Sequence, residues 1–272
     1  MVTINAETKL YGVIGHPLGH TLSPTIHNAA FKAAGLNAVY LQFETMSLEQ
    51  ALNGLMAIGC KGLSITLPFK EEIIKYLDRV DPLAGIIGAV NTLVNQGGCW
   101  VGYNTDASAA IRAIEEVEPV WRKSCVLIGA GGVARAIGFA LRERGCPLIV
   151  VNRSRQRGEK LARDLHAVYI PMEEVDQIET EILVQATAVG MYPHSGQVPM
   201  DPAKIKARVV MDVIYNPAQT QFLKQSGLQG AATIPGTRMF LYQGAEQFRL
   251  WTGLRPPLEV MEKALLQALS HL

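Results

Sequence analysis

Short apolar runs and longer helix-like segments alternate over most of this chain. The runs Leu10–Gly15, Ala38–Phe43, Gly62–Thr66, Ala89–Leu93, Ser124–Ile128, Leu148–Val151, Ile182–Gln185 and Val209–Asp212 predict strands. The segments Pro24–Ala34, Leu48–Ile58, Lys70–Leu77, Ala107–Val117, Val133–Arg144 and Arg155–Leu165 predict helices between them. From Gly236 onward the pattern is helical, as Met239–Trp251 and, after the Gly253–Pro257 break, Pro257–Leu269. Alternation of this kind implies an α/β architecture with parallel sheets covered on both faces. Residues 115–123, which include Pro119, read as a boundary ahead of the strand that opens the second half.

Composition removes several classes of function. At 272 residues the chain can build one large domain or two smaller ones. Its 25 Lys and Arg against 24 Asp and Glu leave a net charge of +1, which argues against a nucleic-acid partner. Three stretches lack acidic and basic residues, at Leu10–Phe31, Pro82–Thr105 and Ile182–Met200. They carry His16, Pro17 and His27, then Asn91 and Asn95, then Gln185, Pro193 and His194, so none suits a membrane span. Glu7 stands where a signal peptide would be basic, and no long apolar run follows. A cytoplasmic protein with a small-molecule substrate is expected, without a membrane partner. The four cysteines make no C-x-x-C, and the six histidines make no metal-ligand spacing, so no metal is expected. Cys125 opens an apolar run and reads as a buried thiol.

The most informative segment is Val126-Leu-Ile-Gly129-Ala130-Gly131-Gly132-Val133-Ala134. It fits G-x-G-x-x-A between a strand and a helix, the fingerprint of a dinucleotide site. Gly129 allows the tight turn, Gly131 lets the backbone approach a pyrophosphate, and Ala134 permits close helix–strand packing. The helix N-terminus then offers free N–H groups to the phosphates. The next strand ends in Val151-Asn152-Arg153-Ser154-Arg155-Gln156-Arg157, with no carboxylate to bond a ribose 2′-hydroxyl. Asn152 suits the 2′ oxygen, and Arg153 and Arg157 suit a 2′-phosphate. Basic charge is unfavourable at a helix start, so the arginines there point to an anion and to NADP rather than NAD.

Two charged residues follow strand-like runs in the first half. Thr66-Leu-Pro68-Phe69-Lys70 delivers Lys70 beyond a strand end, and Gly102-Tyr-Asn104-Thr105-Asp106 delivers Asp106 where a helix begins. Taken singly, Asp106 reads as an N-cap or first-turn carboxylate, and Lys70 as a surface lysine beside Glu71 and Glu72. Beside a nicotinamide they make a chemical pair. Ketone reduction needs a proton donor at the carbonyl oxygen, and a lysine of lowered pKa serves both directions.

The chain resembles the shikimate dehydrogenase family nearly end to end. The resemblance rests on Gly15-His-Pro17-Leu-Gly-His20-Thr21-Leu-Ser23-Pro24-Thr-Ile-His27-Asn28, Thr66–Lys70, Gly88-Ala-Val-Asn91-Thr92 and Gly102–Asp106. It continues through Gly129–Val133, Asn152-Arg153-Ser154, Asp212-Val-Ile-Tyr215-Asn-Pro217 and Gly236-Thr-Arg-Met239 with Gln243. The resemblance implies that Lys70 is the acid/base, with Asp106 paired to it and bonded to a substrate hydroxyl. Thr21 and Ser23 would hold a carboxylate, a role that can coexist with the plainer one of helix capping before Pro24. Thr66, Asn91, Tyr215 and Gln243 would contact ring hydroxyls or the carboxylate. Val213 and Gly236 would line the nicotinamide end. Thr21 departs from the family's usual serine; it keeps the oxygen and adds a methyl group.

On this resemblance residues 1–106 form a substrate domain, rejoined by helices at 237–272, and residues 107–236 form a Rossmann-like NADP domain. The substrate is expected in the cleft between them. The implied reaction is the reversible NADP-dependent reduction of 3-dehydroshikimate to shikimate, in aromatic amino-acid biosynthesis, by a monomer or homodimer. Its rivals are a broader quinate/shikimate dehydrogenase and a non-catalytic NADP-binding sensor. Binding alone would not require both Lys70 and Asp106.

Overall fold

The computed structural model describes residues 4–19 and 21–271. His20, part of the N-terminal signature, lies outside the described residues. The chain divides into two compact units. One contains the residues up to Thr105 together with those from Gln243 onward, and the other is Asp106–Tyr242.

The first unit opens with β1 (Lys9–Gly15), α1 (Ser23–Ala33), β2 (Ala38–Glu44), α2 (Leu48–Ala57) and β3 (Gly62–Ile65). A 3-10 turn at Glu72–Tyr76, β4 (Arg79–Val80), α3 (Pro82–Ile87), β5 (Thr92–Gln96) and β6 (Cys99–Tyr103) follow. The strand order is β2-β1-β3-β5-β6-β4. This sheet is mixed rather than wholly parallel, because β5 runs antiparallel to both β3 and β6. Gly97 and Gly98 close the β5–β6 hairpin with φ of 65° and 87°, the left-handed pair that a tight two-residue turn requires. The strand expected at Ala89–Leu93 therefore starts later, at Thr92. Lys70–Leu77 does not form an α-helix; it contains the 3-10 turn Glu72–Tyr76 instead. Ile14, Leu63, Ile65, Leu93 and Trp100 pack in this unit's core.

The second unit begins with α4 (Asp106–Glu115), β7 (Cys125–Ile128), α5 (Gly132–Glu143), β8 (Leu148–Asn152), α6 (Arg155–Leu165) and β9 (Val168–Pro171). It continues with β10 (Ile178–Gln185), β11 (Ile205–Asp212), α7 (Gln221–Leu228) and β12 (Ala232–Ile234). Every strand pair is parallel, in the order β12-β11-β10-β7-β8-β9. Counted from β7, this is the doubly wound 3-2-1-4-5-6 order, whose switch point lies between β7 and β10. Val126, Ile128, Leu183, Val210 and Phe222 fill its core. Residues 115–123 lie wholly inside this unit, joining α4 to β7, so the boundary read there from Pro119 is corrected to Thr105–Asp106.

The last two helices are α8 (Gly236–Thr252) and α9 (Leu258–Leu269). The chain leaves the second unit within α8, between Tyr242 and Gln243, rather than at 237. The physical reason is a clamp on the helix's first turns. Arg238 Nε donates to Glu116 at 2.8 Å, Tyr242 bonds the same carboxylate, and Arg112 lies 4.0 Å over the Tyr242 ring. Arg238 holds the Glu116 carboxyl below its ordinary pKa.

Candidate active site

The dinucleotide loop follows directly from the end of β7. Gly129 has φ of 121°, and a Cβ there would meet the Ala186 carbonyl oxygen at 2.9 Å, so both conformation and packing demand glycine. Gly131 is different. It has φ of −93°, and a Cβ there would meet no heavy atom within 4 Å. Neither strain nor protein packing requires glycine at 131, which fits a position kept clear for a ligand's approach. Gly131 caps α5 without a side-chain hydrogen bond, and the first turn has no acidic residue. Ala130, Gly132 and Val133 complete the loop, and Ala134 is fully buried. These residues fit a pyrophosphate at a helix N-terminus.

Beyond β8, Asn152 donates from Nδ2 to the Ser154 carbonyl at 2.8 Å and shapes the turn into α6. Arg153, Ser154 and Arg157 are exposed. Arg155 pairs with Glu159 and Glu174, each at 3.6 Å, whereas Arg153 makes no ion pair among the described residues. The basic cluster at this helix start is thus partly internal pairing. Gly236 brings the opening of α8 onto the chain after β11. A Cβ there would meet backbone atoms of Val213 and Ile214, so the two residues expected at the nicotinamide end are neighbours. The Tyr215 ring lies 4.2 Å from that of Phe240 in the same unit.

In the first unit the strand ends of β1, β3, β5 and β6 gather most of the remaining positions. Gly15 passes so close to the Thr66 methyl that a side chain there would collide. His16 N–H donates to the Leu67 carbonyl, and Thr66 N–H to that of Ile14. Val90 N–H donates to the Lys70 carbonyl at 2.8 Å, which ties Lys70 to the segment holding Asn91. Asn91 Oδ1 accepts Thr105 N–H at 2.8 Å, and its Nδ2 donates to Thr105 Oγ1 at 2.9 Å. Asp106, the next residue, is buried at the first position of α4.

Thr21 and Ser23 open α1. Leu22 occupies the N-cap position, and Thr21 Oγ1 accepts the Ser23 N–H at 3.4 Å, so a bond at the helix start and carboxylate binding are compatible roles. The two hydroxyls lie 3.3 Å apart at the start of the helix, an arrangement suited to a carboxylate. Gln243 lies on α8 just before Gly244, where the helix packs against Ile26 of α1. The first unit therefore holds Thr21, Ser23, Thr66, Lys70, Asn91 and Gln243, while Asp106 and Tyr215 belong to the second with the dinucleotide positions.

A buried polar network beneath Asn91 escaped the sequence reading. Gln247 Nε2 donates to the Asn91 carbonyl at 3.2 Å and to Thr92 Oγ1 at 3.1 Å. Its Oε1 accepts from Ser64 at 2.9 Å and from His27 Nε2 at 3.2 Å. Tyr40 donates to Ser64 at 2.6 Å and stacks on His27 with ring centroids 4.5 Å apart. His27 Nδ1 is buried without a partner among the described residues, and burial lowers the imidazole pKa to about 3. A spacing of four between Gln243 and Gln247 on a predicted helix was the available signal, since it puts both on one face.

Three family models match consecutive parts of the chain. A shikimate dehydrogenase substrate-binding domain matches residues 13–93, a shikimate/quinate 5-dehydrogenase model residues 112–213, and a shikimate 5′-dehydrogenase C-terminal domain residues 236–266. The chain is 41% identical to the NADP-dependent shikimate dehydrogenase of Methanothermobacter thermautotrophicus, covering 98% of this chain and 99% of that one. It is 42% identical to that of Moorella thermoacetica, over 99% and 97%. The crystal structure of Thermus thermophilus shikimate 5-dehydrogenase with NADP(H) and shikimate superposes with a TM-score of 0.88 at 36% identity, covering 96% of this chain and 99% of that one.

Proposed function

The chain belongs to the shikimate dehydrogenase family, and from that premise we propose how its residues carry the reaction. The protein is an NADP-dependent oxidoreductase that reversibly reduces 3-dehydroshikimate to shikimate, a step of aromatic amino-acid biosynthesis. Bound NADPH supplies the hydride. We assign dinucleotide binding to the second unit, and substrate binding to the first together with Asp106 and Tyr215.

Gly129–Val133 take the pyrophosphate, Asn152, Arg153, Ser154 and Arg157 take the adenosine ribose phosphate, and Val213 and Gly236 border the nicotinamide. Thr21 and Ser23 bind the substrate carboxylate. Thr66, Asn91, Tyr215 and Gln243 orient its hydroxyls through neutral groups, which fix an OH without a competing charge. Lys70 gives a proton to the carbonyl oxygen as the alcohol forms and removes it in reverse. Asp106 supports Lys70 and accepts from a substrate hydroxyl. We place the enzyme in the cytoplasm, as a monomer or homodimer.

The observation that carries the reading is the bonding of Lys70, Asn91 and Thr105 around one set of strand ends, with Asp106 next in the chain. A steady-state assay with shikimate and quinate, each with NADP and NAD, tests it. Turnover fastest with shikimate and NADP is expected. A clear preference for quinate would overturn the substrate assignment, and no turnover would favour a sensor.

A further inference from the structure

Asp212 is fully buried at the end of β11, in the motif that also carries Val213 and Tyr215. Its two oxygens are engaged by the loop that follows. Oδ1 accepts Ile214 N–H at 3.0 Å, with Gln185 Nε2 at 3.5 Å, and Oδ2 accepts the Thr220 hydroxyl at 2.7 Å. Thr220 in turn caps α7, accepting Leu223 N–H at 3.2 Å. From the neighbouring strand, Gln185 holds Val213 N–H through its own carbonyl at 3.0 Å. On its other side the Val213–Ile214 peptide abuts Gly236, where a Cβ would collide with it. One short peptide is thus gripped between a carboxylate and the start of α8.

We propose that Asp212 is a positioning residue: its carboxylate sets the 213–220 loop and so places Val213 and Tyr215 for hydride transfer. The inference rests on the reading of Val213 as a nicotinamide neighbour. The partners of Asp212 are all neutral donors, and no charged group acts on it among the described residues. Burial accordingly pushes its carboxyl up to about 6. Ionised, it makes charge-assisted bonds, but the cost of burying the charge exceeds their gain, so the folded loop favours the protonated form. Protonated, it resembles an asparagine, keeping Oδ1 for Ile214 and donating to Thr220.

Hydrogen exchange of the cofactor-free protein reads the loop directly. In the wild type, exchange at residues 213–220, corrected for the intrinsic rate, should quicken as the pH rises from about 4 to 6, by up to about a hundredfold, because opening the loop releases the carboxylate from burial. Asp212→Asn should lack that step and match the low-pH wild type throughout. Asp212→Ala, which removes both acceptors, should exchange about tenfold faster there while β7 and β8 keep their protection. Its kcat should fall about tenfold to a hundredfold, the usual effect of a small misplacement, with NADP affinity largely kept and Asp212→Asn restoring most of the rate.

A pH step identical in wild type and Asp212→Asn would overturn the proposal, and this comparison decides even if Asp212→Ala does not fold. A kcat loss matched by an equal loss of NADP-binding sites on titration would also overturn it, leaving a folding role. Val213→Ala separates the premise from the inference. Wild-type kinetics in that variant would refute the nicotinamide reading without altering the exchange result.

Discussion

Asn91 clasps Thr105 with both ends of its carboxamide, accepting from the Thr105 amide at 2.8 Å and donating to its hydroxyl at 2.9 Å. Thr92 adds a third bond, its hydroxyl donating to the same Asn91 oxygen at 2.7 Å. The carboxamide is largely engaged in holding the last residue before Asp106. Asn91 thus helps position Asp106.

Replacing Asn91 with Ala should leave the buried Thr105 amide and Thr92 hydroxyl without an acceptor, at about 1–3 kcal/mol for each. We expect a lower Tm and a drop in kcat/KM for shikimate, with NADP affinity preserved. A variant with wild-type kcat/KM would show that Asp106 needs no such support.

Arg153→Ala should raise the KM for NADP about tenfold to a hundredfold, from loss of a charge-assisted contact worth about 1.5–3 kcal/mol. The KM for NAD should barely move. Arg155→Ala is the internal control, because Arg155 is engaged with Glu159 and Glu174. Equal changes for both cofactors in Arg153→Ala would remove the 2′-phosphate assignment.

Lys70→Ala should lower kcat by about 10²–10⁴, the size of a general acid/base contribution. Measured by fluorescence, NADP binding should be unchanged, since Lys70 lies in the first unit. Near wild-type kcat at saturating shikimate would exclude Lys70 from proton transfer.

The buried His27 predicts an acid-sensitive core. Its pKa is about 3 folded against 6.5 when free, so below pH 6.5 the unfolded chain binds the extra proton. Stability should fall progressively from pH 6.5 toward 3, by a few kcal/mol in all. His27→Phe keeps the stack on Tyr40 and leaves Gln247 Oε1 with its bond from Ser64. Its Tm should decline less between neutral and acid pH than that of the wild type. Parallel declines would show that another group governs acid unfolding.

Thr21→Val keeps shape and removes the hydroxyl beside Ser23. The shikimate KM should rise while NADP binding holds, and an unchanged KM would return Thr21 to packing.

What the sequence made legible was local. The glycine loop, Lys70 beyond β3 and Asp106 opening α4 each follow from spacing within one strand–turn–helix unit. The β5–β6 hairpin turns on Gly97 and Gly98 taking left-handed backbone, which an apolar run cannot announce, and the antiparallel pairing of β5 with β3 joins strands separated by the long 66–91 segment. The short β4 and β12 and the polar helix α7 have too few apolar positions for a period to emerge. Gln247 and Asp212 were hidden for another reason. Each acts through partners far along the chain or through backbone amides, and a polar residue in a sequence does not show which way it is buried.

The first unit is completed by the last segment of the chain, and this orders the protein's assembly. Gln247 closes the polar network with Ser64 and Asn91, Phe248 packs on Phe31, and Trp251 donates to the Leu93 carbonyl at 2.9 Å. During synthesis none of these partners exists until α8 has left the ribosome. The contiguous Asp106–Tyr242 unit has all its strands before then. The half that is made first therefore gains its full set of contacts only once the later residues are made, which leaves it the more dependent of the two on release of the whole chain.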